Sequence, residues 1–187
     1  MTDQDLLRAY AESSDTDSLG VFVGRYQNIL MRFAARFLRD VDAAQDVVQE
    51  TFLVVARHPR KVLAVNSPHN WLLRVARNLG IDHLRRNARA RKYALESAGP
   101  ATAVAEERQR AATCAVEREE MRRRVREEVE KLSPRYRELI LLKVQEEKSY
   151  QEIAEITGLT VTNVGYLLHH GMKALARRLQ GHREELL

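Results

Sequence analysis

A tryptophan lies among polar and basic side chains on one face of a segment with helical periodicity. Residues from Trp71 to Arg86, turned by about 100° each, separate into two faces. The apolar face carries Leu72, Leu73, Ala76, Leu79, Gly80 and Leu84. The opposite face carries Trp71, Arg74, Asn78, Asp82, Arg85 and Arg89. Cations bind phosphates and an aromatic ring stacks on an unpaired base, so this face suits a nucleic-acid strand. The alternative is an amphipathic helix whose Trp71 packs on a neighbouring element.

A basic loop precedes this helix. The helical periodicity stops between Arg57 and Asn70, where Pro59 and Pro68 prevent a continuous helix. Ser67 can cap a helix, and proline fits the first helical position, so the pair 67–68 predicts its start. The loop is basic through Arg57, His58, Arg60 and Lys61. Because the loop leads directly into the helix, it predicts a pocket at the helix N-terminus. A plain basic connector is the alternative.

The C-terminal part has the spacing of a helix-turn-helix. Ser149 and Glu152 match a capping box, Gly158 supplies the turn, and Thr160 can cap the second helix. The apolar positions Ile153, Leu159, Val164 and Leu167 would form the core of the pair. We expect the second helix to bury Val164, Leu168, Met172, Leu175 and Leu179. Its outward face would carry Thr162, Asn163, Tyr166, His170, Lys173 and Arg177, and such a helix enters the major groove in DNA-binding proteins.

Three further helices are predicted ahead of the basic loop. A short one spans Asp5 to Glu12, and a second follows the polar run 13–18. The second carries Leu19, Phe22, Tyr26, Ile29, Leu30, Phe33 and Phe37 at steps of three and four residues. Asp42 and Gln45 match a capping box that begins the third. Its apolar side carries Val47, Val48, Phe52, Val55 and Ala56, and its polar side carries Asp46, Gln49 and Glu50, for which ordinary solvation is the alternative.

Composition limits the classes of protein and of site. The 187 residues carry a net charge of +5, with 8 glycines and 4 prolines, which favours helices over a many-turned sheet. Cys114 is the only cysteine, so no internal disulfide is possible and a reducing cytosol is expected. The acidic, polar opening predicts no secretory signal, and no apolar run reaches the length of a membrane span. Adjacent His169 and His170 point apart on a helix, so we predict no metal site.

The predicted fold is all-α, with two small helical domains joined by a flexible linker. The boundaries are residues 1–92, 93–115 and 116–187, and the last domain holds the helix-turn-helix. From about Tyr93 to Thr113 no strong apolar period remains, and Gly99–Pro100 breaks helix. A highly charged helix is expected from Glu117 to Lys131, and Ser133–Pro134 begins the next.

In combination these motifs resemble the sigma-70 family of bacterial RNA polymerase sigma factors, in the two-domain form of the extracytoplasmic-function (ECF) group. Two stretches carry the resemblance. One joins residues 46–52 to the helix of residues 71–86, and the other joins residues 132–137 to the capping box at Ser149 and its helix-turn-helix. The order and spacing agree over most of the chain, least so in the linker.

The resemblance implies a role for each surface. Asp46, Gln49 and Glu50 would dock on the largest subunit of core RNA polymerase. The loop and the helix after it would open and recognise the minus-ten promoter element through Asn66, His69, Asn70, Trp71, Arg74, Asn78 and Arg85. The second helix of the helix-turn-helix would recognise the minus-thirty-five element. The linker would thread toward the polymerase active centre, with Glu96, Glu106 and Glu107 mimicking nucleic-acid charge.

The implied protein is a cytoplasmic initiation factor with no catalytic residues, no cofactor and no small-molecule substrate. Its partners would be core RNA polymerase, promoter DNA and an anti-sigma factor. Where ECF proteins usually carry Lys, Arg and Arg along the recognition helix, this chain has Gly165, Leu167 and His170. A stand-alone helix-turn-helix regulator is the alternative function, although no dimer surface or ligand pocket is evident. A nucleic-acid enzyme would need clustered acidic metal ligands or a nucleophile with its base, and the sequence offers neither.

Overall fold

The structure is a computed structural model that describes the backbone of residues 1–95 and 115–184, and the side chains of residues 1–90 and 119–180. Within these ranges the regular elements are helices, as predicted. The first group is α1 (Asp3–Ser13), α2 (Thr16–Leu38), α3 (Val41–Arg57), α4 (Pro59–Leu63) and α5 (Pro68–Leu95). The second is α6 (Ala115–Glu130), α7 (Pro134–Ile140), a π-helical turn (Leu141–Gln145), α8 (Tyr150–Thr157) and α9 (Val161–Glu184).

Helix α2 is the central element of the first group and packs against α1, α3 and α5. Its predicted apolar side is buried at Phe22, Phe33 and Phe37, and α5 contributes Leu72 and Leu73 to the same core. The two helices approach closely at Gly80, where a Cβ atom would lie 3.0 Å from Cε1 of Phe37. A larger residue at this position would push α5 away from α2.

The start of α3 corrects the predicted cap. Arg39 has a left-handed backbone with φ of 60°, and it ends α2. The chain then becomes extended at Asp40, whose side chain accepts a hydrogen bond of 3.0 Å from the amide of Ala43. Asp40 is therefore the N-cap, and Asp42 lies in the first turn, where its carboxylate faces the positive end of the helix dipole. The predicted Asp42–Gln45 capping box was wrong.

Two predicted irregular segments are shorter than expected. The break between the first two helices is confined to Ser14 and Asp15. Part of the basic loop is helical, because Pro59 occupies the first position of α4. Helix α5 runs to Leu95, past the predicted domain end at residue 92, and α6 already begins at Ala115. The rest of the predicted linker, including Glu96, Glu106, Glu107 and Cys114, lies outside the described residues.

The helix-turn-helix has the predicted caps. Ser149 Oγ accepts a hydrogen bond of 3.2 Å from the amide of Glu152, and the carboxylate of Glu152 accepts one of 2.9 Å from the amide of Ser149. Gly158 ends α8 with φ of 73°, a conformation that disfavours residues with a Cβ atom. Thr160 Oγ then accepts a hydrogen bond of 3.2 Å from the amide of Asn163 and caps α9.

The buried side of α9 departs from the prediction at two positions, and at one of them Leu179 is only partly buried against the core. Val164, Leu168 and Leu175 are buried as expected, but Met172 is 47% exposed and Gly171 is buried instead. A Cβ atom on Gly171 would lie 3.3 Å from the Cβ of Tyr136, so glycine lets α9 lie close to α7. The contact selects residue 171 for the core and leaves Met172 on the surface.

We expect the N-terminal cap of α8 to weaken in acid. Hydrogen bonds from the backbone and side chain of Ser149 lower the pKa of Glu152 from 4.5 to about 2. Because the folded value lies below the unfolded one, the carboxylate stabilises the fold above pH 4.5 and loses that contribution as the pH falls through about 2. Urea denaturation should therefore show Glu152→Gln less stable than wild type near neutral pH, with the gap closing toward the acid end. Glu155→Gln controls for charge on the same helix, and a gap unchanged by pH would contradict the expectation.

Candidate nucleic-acid interface

The N-terminal end of α5 forms the predicted pocket. Ser67 Oγ accepts a hydrogen bond of 3.2 Å from the amide of Asn70, which confirms the predicted cap and start of the helix. A cavity of about 350 Å³ opens beside this turn. It is lined by Ala64, Val65, Asn66, Ser67, Asn70, Trp71, Arg74, Glu155 and Ile156. Amide, indole and guanidinium groups around one cavity are suited to hold a planar, polar group such as a nucleic-acid base.

Trp71 combines the two roles that the sequence left open. Its side chain is half-buried and packs against the hydrophobic core, as in the packing alternative. The same indole forms a wall of the cavity, where a base could stack on it. The structure therefore places Trp71 between the core and the cavity, and substitutions there are expected to affect both stability and binding.

A polar and basic face continues along α5 beyond the cavity. Arg74, Asn78 and Arg85 are exposed on it, as predicted. The restraints on this face are local, since Arg85 Nη1 lies 3.4 Å from the Asp82 carboxylate and Arg77 Nη1 donates to Asn78 Oδ1 at 3.1 Å. The guanidinium groups of Arg74 and Arg85 are near solvent and available to phosphates, whereas that of Arg77 is mostly buried and pairs with Glu138.

His69 and Asn70 differ from these residues because they contact the C-terminal domain. Asn70 Nδ2 donates a hydrogen bond of 3.2 Å to Glu152 Oε1. The Lys148 ammonium group lies 3.2 Å from His69 Nδ1, and since an ammonium group can only donate, Nδ1 is the acceptor. The other ring nitrogen, Nε2, lies 3.5 Å from the Glu146 carboxylate. Sequence reasoning gave no signal for these contacts, because they join positions about 80 residues apart.

The polar residues of α3 lie together on its outer surface. Asp46 and Gln49 are exposed, and Glu50 is half-buried with its carboxylate 3.4 Å from Arg57 Nη1. Leu53, one turn beyond Gln49, is 40% exposed. Sequence reasoning missed this leucine, although its spacing from Gln49 places it on the same face. Single exposed apolar residues are common on protein surfaces, so Leu53 extends this face without by itself marking a binding site.

The outward face of α9 is largely as predicted. Five of the predicted residues are exposed, namely Thr162, Asn163, Tyr166, Lys173 and Arg177. His170 is half-buried, and its ring centroid lies 4.3 Å from that of Tyr166. Leu167 is partly buried against the core, so it is a packing residue and not an unoccupied site for a cation. Gly165, in contrast, has room, since a Cβ atom there would lie 3.5 Å from the Tyr150 ring.

Comparison with known proteins identifies both halves of this arrangement. The family model for sigma-70 region 2 matches residues 22–90, and the model for sigma-70 region 4 matches residues 122–175. The ECF RNA polymerase sigma factor SigL of Mycobacterium tuberculosis (strain H37Rv) is 31% identical over 156 residues, which cover 81% of this chain and 83% of that protein. The chain belongs to the ECF group of the sigma-70 family. The match to both regions favours a sigma factor over a stand-alone helix-turn-helix regulator.

Further similarities extend over nearly the whole sigma factor. ECF RNA polymerase sigma factor SigW of Bacillus subtilis is 28% identical over 179 residues, 90% of this chain and 92% of that protein. Sigma factor RpoE, solved in complex with anti-sigma factor NepR from Bartonella quintana, superposes with a TM-score of 0.66 at 18% identity, covering 86% of this chain and 96% of that one. CnrH, solved with the cytosolic domain of CnrY, superposes with a TM-score of 0.63 at 23% identity, covering 96% of this chain and 97% of that one. These structures share the fold.

The matched ranges contain the surfaces described above. Region 2 includes the outer face of α3 and the α5 side of the cavity. Region 4 includes α8, which adds Glu155 and Ile156 to the cavity wall, and the exposed part of α9 up to Lys173. Among the residues that the structure describes, no helix is both long and apolar enough to cross a membrane. The same residues contain no group of three or more His, Cys, Asp or Glu side chains placed to hold a metal ion.

Gly165→Arg should tighten binding of the sigma factor to duplex DNA. Position 165 lies between Asn163 and Tyr166 on α9 and has space for a Cβ atom, and arginine has a higher helix propensity than glycine. One added phosphate contact should steepen log affinity against log salt by about 0.9. The measurement is a salt titration of wild type and variant on minus-thirty-five duplexes of several sequences. Gly165→Ala separates helix stabilisation from charge, and an unchanged slope for the arginine variant would place residue 165 away from the phosphates.

Proposed function

We propose that this sigma factor brings core RNA polymerase to promoters and starts transcription by holding the melted minus-ten element on α5. The observation that carries the proposal is the cavity at the N-terminus of α5, which is continuous with an exposed line of guanidinium and amide groups. A flipped base would enter the cavity among Asn66, Asn70 and Trp71. His69, which lies outside the cavity lining, would contact the DNA beside it. The adjoining strand would lie along Arg74, Asn78 and Arg85.

The other two surfaces take the roles that the family implies. Asp46, Gln49 and Glu50 on α3 would dock on core RNA polymerase, with Leu53 adding apolar contact area. The minus-thirty-five element would be contacted by Thr162, Asn163, Tyr166, His170, Lys173 and Arg177 on α9. This division assigns residues 1–92 to region 2, 93–115 to the linker and 116–187 to region 4.

A weak grip by α9 follows from its composition. Lys173 and Arg177 are its exposed cations among the residues assigned to the duplex, so the isolated contact would have few phosphate anchors. Core polymerase would supply most of the affinity, because tethering the domain beside its site raises the effective concentration.

The proposal also covers the setting of the protein. We propose that it acts in the cytoplasm as an initiation factor with no catalytic reaction of its own. An anti-sigma factor is a proposed partner, since the related RpoE and CnrH were solved in complexes with NepR and with the cytosolic domain of CnrY.

Run-off transcription with purified core polymerase tests the proposal. The template is a pool of linear duplexes that share two randomised hexamers separated by spacers of several lengths. Core polymerase with the sigma factor should yield transcripts enriched for one pair of hexamers, and core polymerase alone should not. Failure to bind core polymerase, or transcripts without enrichment, would contradict the proposal.

A further inference from the structure

The first half of α9 contains no lysine or arginine. The chain has neither residue between Val161 and Met172, and the first exposed cation along the helix is Lys173. At 1.5 Å per residue, Lys173 lies about 18 Å from the start of the helix. Residues near the N-terminus of a recognition helix reach the base edges, and the commonest specific contact there is that of arginine or lysine with guanine. This end of α9 therefore lacks the groups that usually select guanine.

An exposed apolar strip takes the place of the cations at this end of the helix-turn-helix. Val161, the first residue of α9, is 48% exposed, and Tyr150, the first residue of α8, is 44% exposed. A Cβ atom on Gly165 would lie 3.5 Å from Cε2 of Tyr150, so the tyrosine ring lies beside α9. Val161 precedes Gly165 by four residues and lies on the same side of the helix. We call Tyr150, Val161 and Gly165 the apolar strip.

The apolar strip is held in position by its neighbours. The hydrogen bond of 3.2 Å from the amide of Asn163 to Thr160 Oγ fixes the turn that begins with Val161. Lys143 Nζ lies 5.4 Å from the centroid of the Tyr150 ring and donates a hydrogen bond of 3.1 Å to the carbonyl of Lys148. Valine has few side-chain rotamers in a helix, so Val161 loses little conformational freedom when a ligand contacts it. The strip therefore presents a preorganised apolar surface.

Thymine is the base that matches an apolar surface. On the major-groove edges of the four DNA bases, the C5 methyl group of thymine is the apolar group, and it is recognised by apolar side chains. We propose that the N-terminal turn of α9 selects thymine in the minus-thirty-five element, with the Val161 side chain contacting the C5 methyl group beside the Tyr150 ring. This inference rests on the proposed function of α9. It assigns base selection to a residue outside the polar, outward face of the helix.

The test compares thymine with deoxyuridine, which pairs in the same way and lacks only the C5 methyl group. Promoter duplexes carry the minus-thirty-five hexamer enriched in run-off transcription, with each thymine of either strand replaced in turn by deoxyuridine. Competition binding measures the affinity of each duplex for the sigma factor in complex with core polymerase. At one position or more, the replacement should weaken wild-type binding by about fourfold, the contribution of one buried apolar carbon.

Val161→Ala identifies the side chain that contacts the methyl group. Alanine removes both γ-methyl groups at an exposed position and has a high helix propensity, so the fold should remain. The variant should bind the thymine and deoxyuridine duplexes with nearly equal affinity. Loss of the base preference together with the side chain is a double-mutant cycle between the two groups, and it isolates their contact from other effects of either change.

Two further variants complete the design. Met172→Ala is the matched control, because Met172 is also an apolar residue of α9, is 47% exposed, and lies three turns beyond the strip. It should keep the full preference for thymine. Val161→Thr has nearly the shape of wild type and replaces one methyl group by a hydroxyl group, so it should also reduce the preference. Circular dichroism identifies a variant that fails to fold, and Val161→Thr then carries the test in place of Val161→Ala.

The outcomes separate this inference from the proposed function. A loss on deoxyuridine that disappears in the Val161 variants and persists in Met172→Ala supports the contact. Enriched hexamers without thymine on either strand, no loss at any deoxyuridine position, or an equal loss in the folded Val161 variants overturns it. Sequence-selective run-off transcription by the wild-type chain shows that the proposed function stands in each of these cases, whereas its absence overturns the function itself.

Discussion

Replacing Gln49 and Glu50 together by lysine should abolish co-purification of the sigma factor with core RNA polymerase. The two residues lie on the outer face of α3 beside the exposed Leu53. Reversing the charge of this face places cations where the partner surface would complement an acidic patch, and like charges across an interface cost several kcal/mol. The only described ion pair lost is that of Glu50 with Arg57, an exposed contact of about 0–1 kcal/mol. The fold should therefore remain.

The matched control changes the same charge elsewhere on region 2. Gln27→Lys with Glu12→Lys introduces one neutral-to-basic and one acidic-to-basic change at exposed positions of α2 and α1. Tagged proteins are incubated with core polymerase and recovered by affinity and gel filtration. The control pair should retain polymerase. Retention by the Gln49–Glu50 variant, with an unchanged melting temperature, would remove these residues from the docking surface.

Trp71→Ala should slow open-complex formation on duplex promoters by about 5- to 150-fold, the equivalent of a stacking contribution of about 1–3 kcal/mol per base. A template whose minus-ten region is already unpaired should recover part of this loss, since melting is then supplied by the template. The measurement is permanganate footprinting of the open complex formed with core polymerase on both templates.

The half-buried position of Trp71 requires a control for packing. Trp71→Phe keeps an aromatic face and most of the apolar contact, whereas Trp71→Leu keeps apolar volume and loses the aromatic face. If stacking contributes, the phenylalanine variant should form open complexes on duplex templates faster than the leucine variant, although the two variants have similar melting temperatures. If both variants lose open-complex formation equally, and the loss follows the fall in melting temperature, then Trp71 acts only through its packing in the core.

Most helices were predictable because their signals are local. The start of α5 follows from a capping serine and a proline, and the helix-turn-helix follows from Ser149, Glu152 and Gly158. Each of these residues satisfies or bends the backbone within one turn of itself, so its effect can be inferred from spacing. The signal for α2 is equally local, since it is the spacing of apolar residues at three and four positions within the helix itself. Helices α1, α3 and α5 pack on the face that this spacing defines.

The errors arose where backbone geometry or distant packing decided the outcome. Asp40 rather than Asp42 is the N-cap because Arg39 adopts a left-handed backbone conformation. An arginine gives no sequence signal for that conformation. The π-helical turn after α7 also has no sequence signal. Met172 was expected in the core, but the close approach of Tyr136 selects Gly171.

In the candidate site, too, the features with local signals were predictable and those that depend on distant packing were not. The cations, the tryptophan and the polar face of α3 were predictable from spacing, and the structure brings each set together. The contacts of His69 and Asn70 with Lys148 and Glu152 were not predictable, because they form only when two separately recognisable domains meet. A periodicity describes which face of a helix is apolar, and it carries no information about which distant element covers the polar face.

The hydrogen bond from Arg137 to the carbonyl of Phe37 couples the unfolding of the two domains. The carbonyl at the end of α2 is satisfied by a guanidinium group that also binds the carbonyl of Leu132 in its own domain. If either domain unfolds first, the other loses this hydrogen bond to water, which costs about 1.5–3 kcal/mol for a bond to a charged group. The chain should therefore absorb heat in one cooperative transition. If core polymerase separates the domains, each would depend on its own smaller core, and the freedom to contact two promoter elements would cost part of this shared stability.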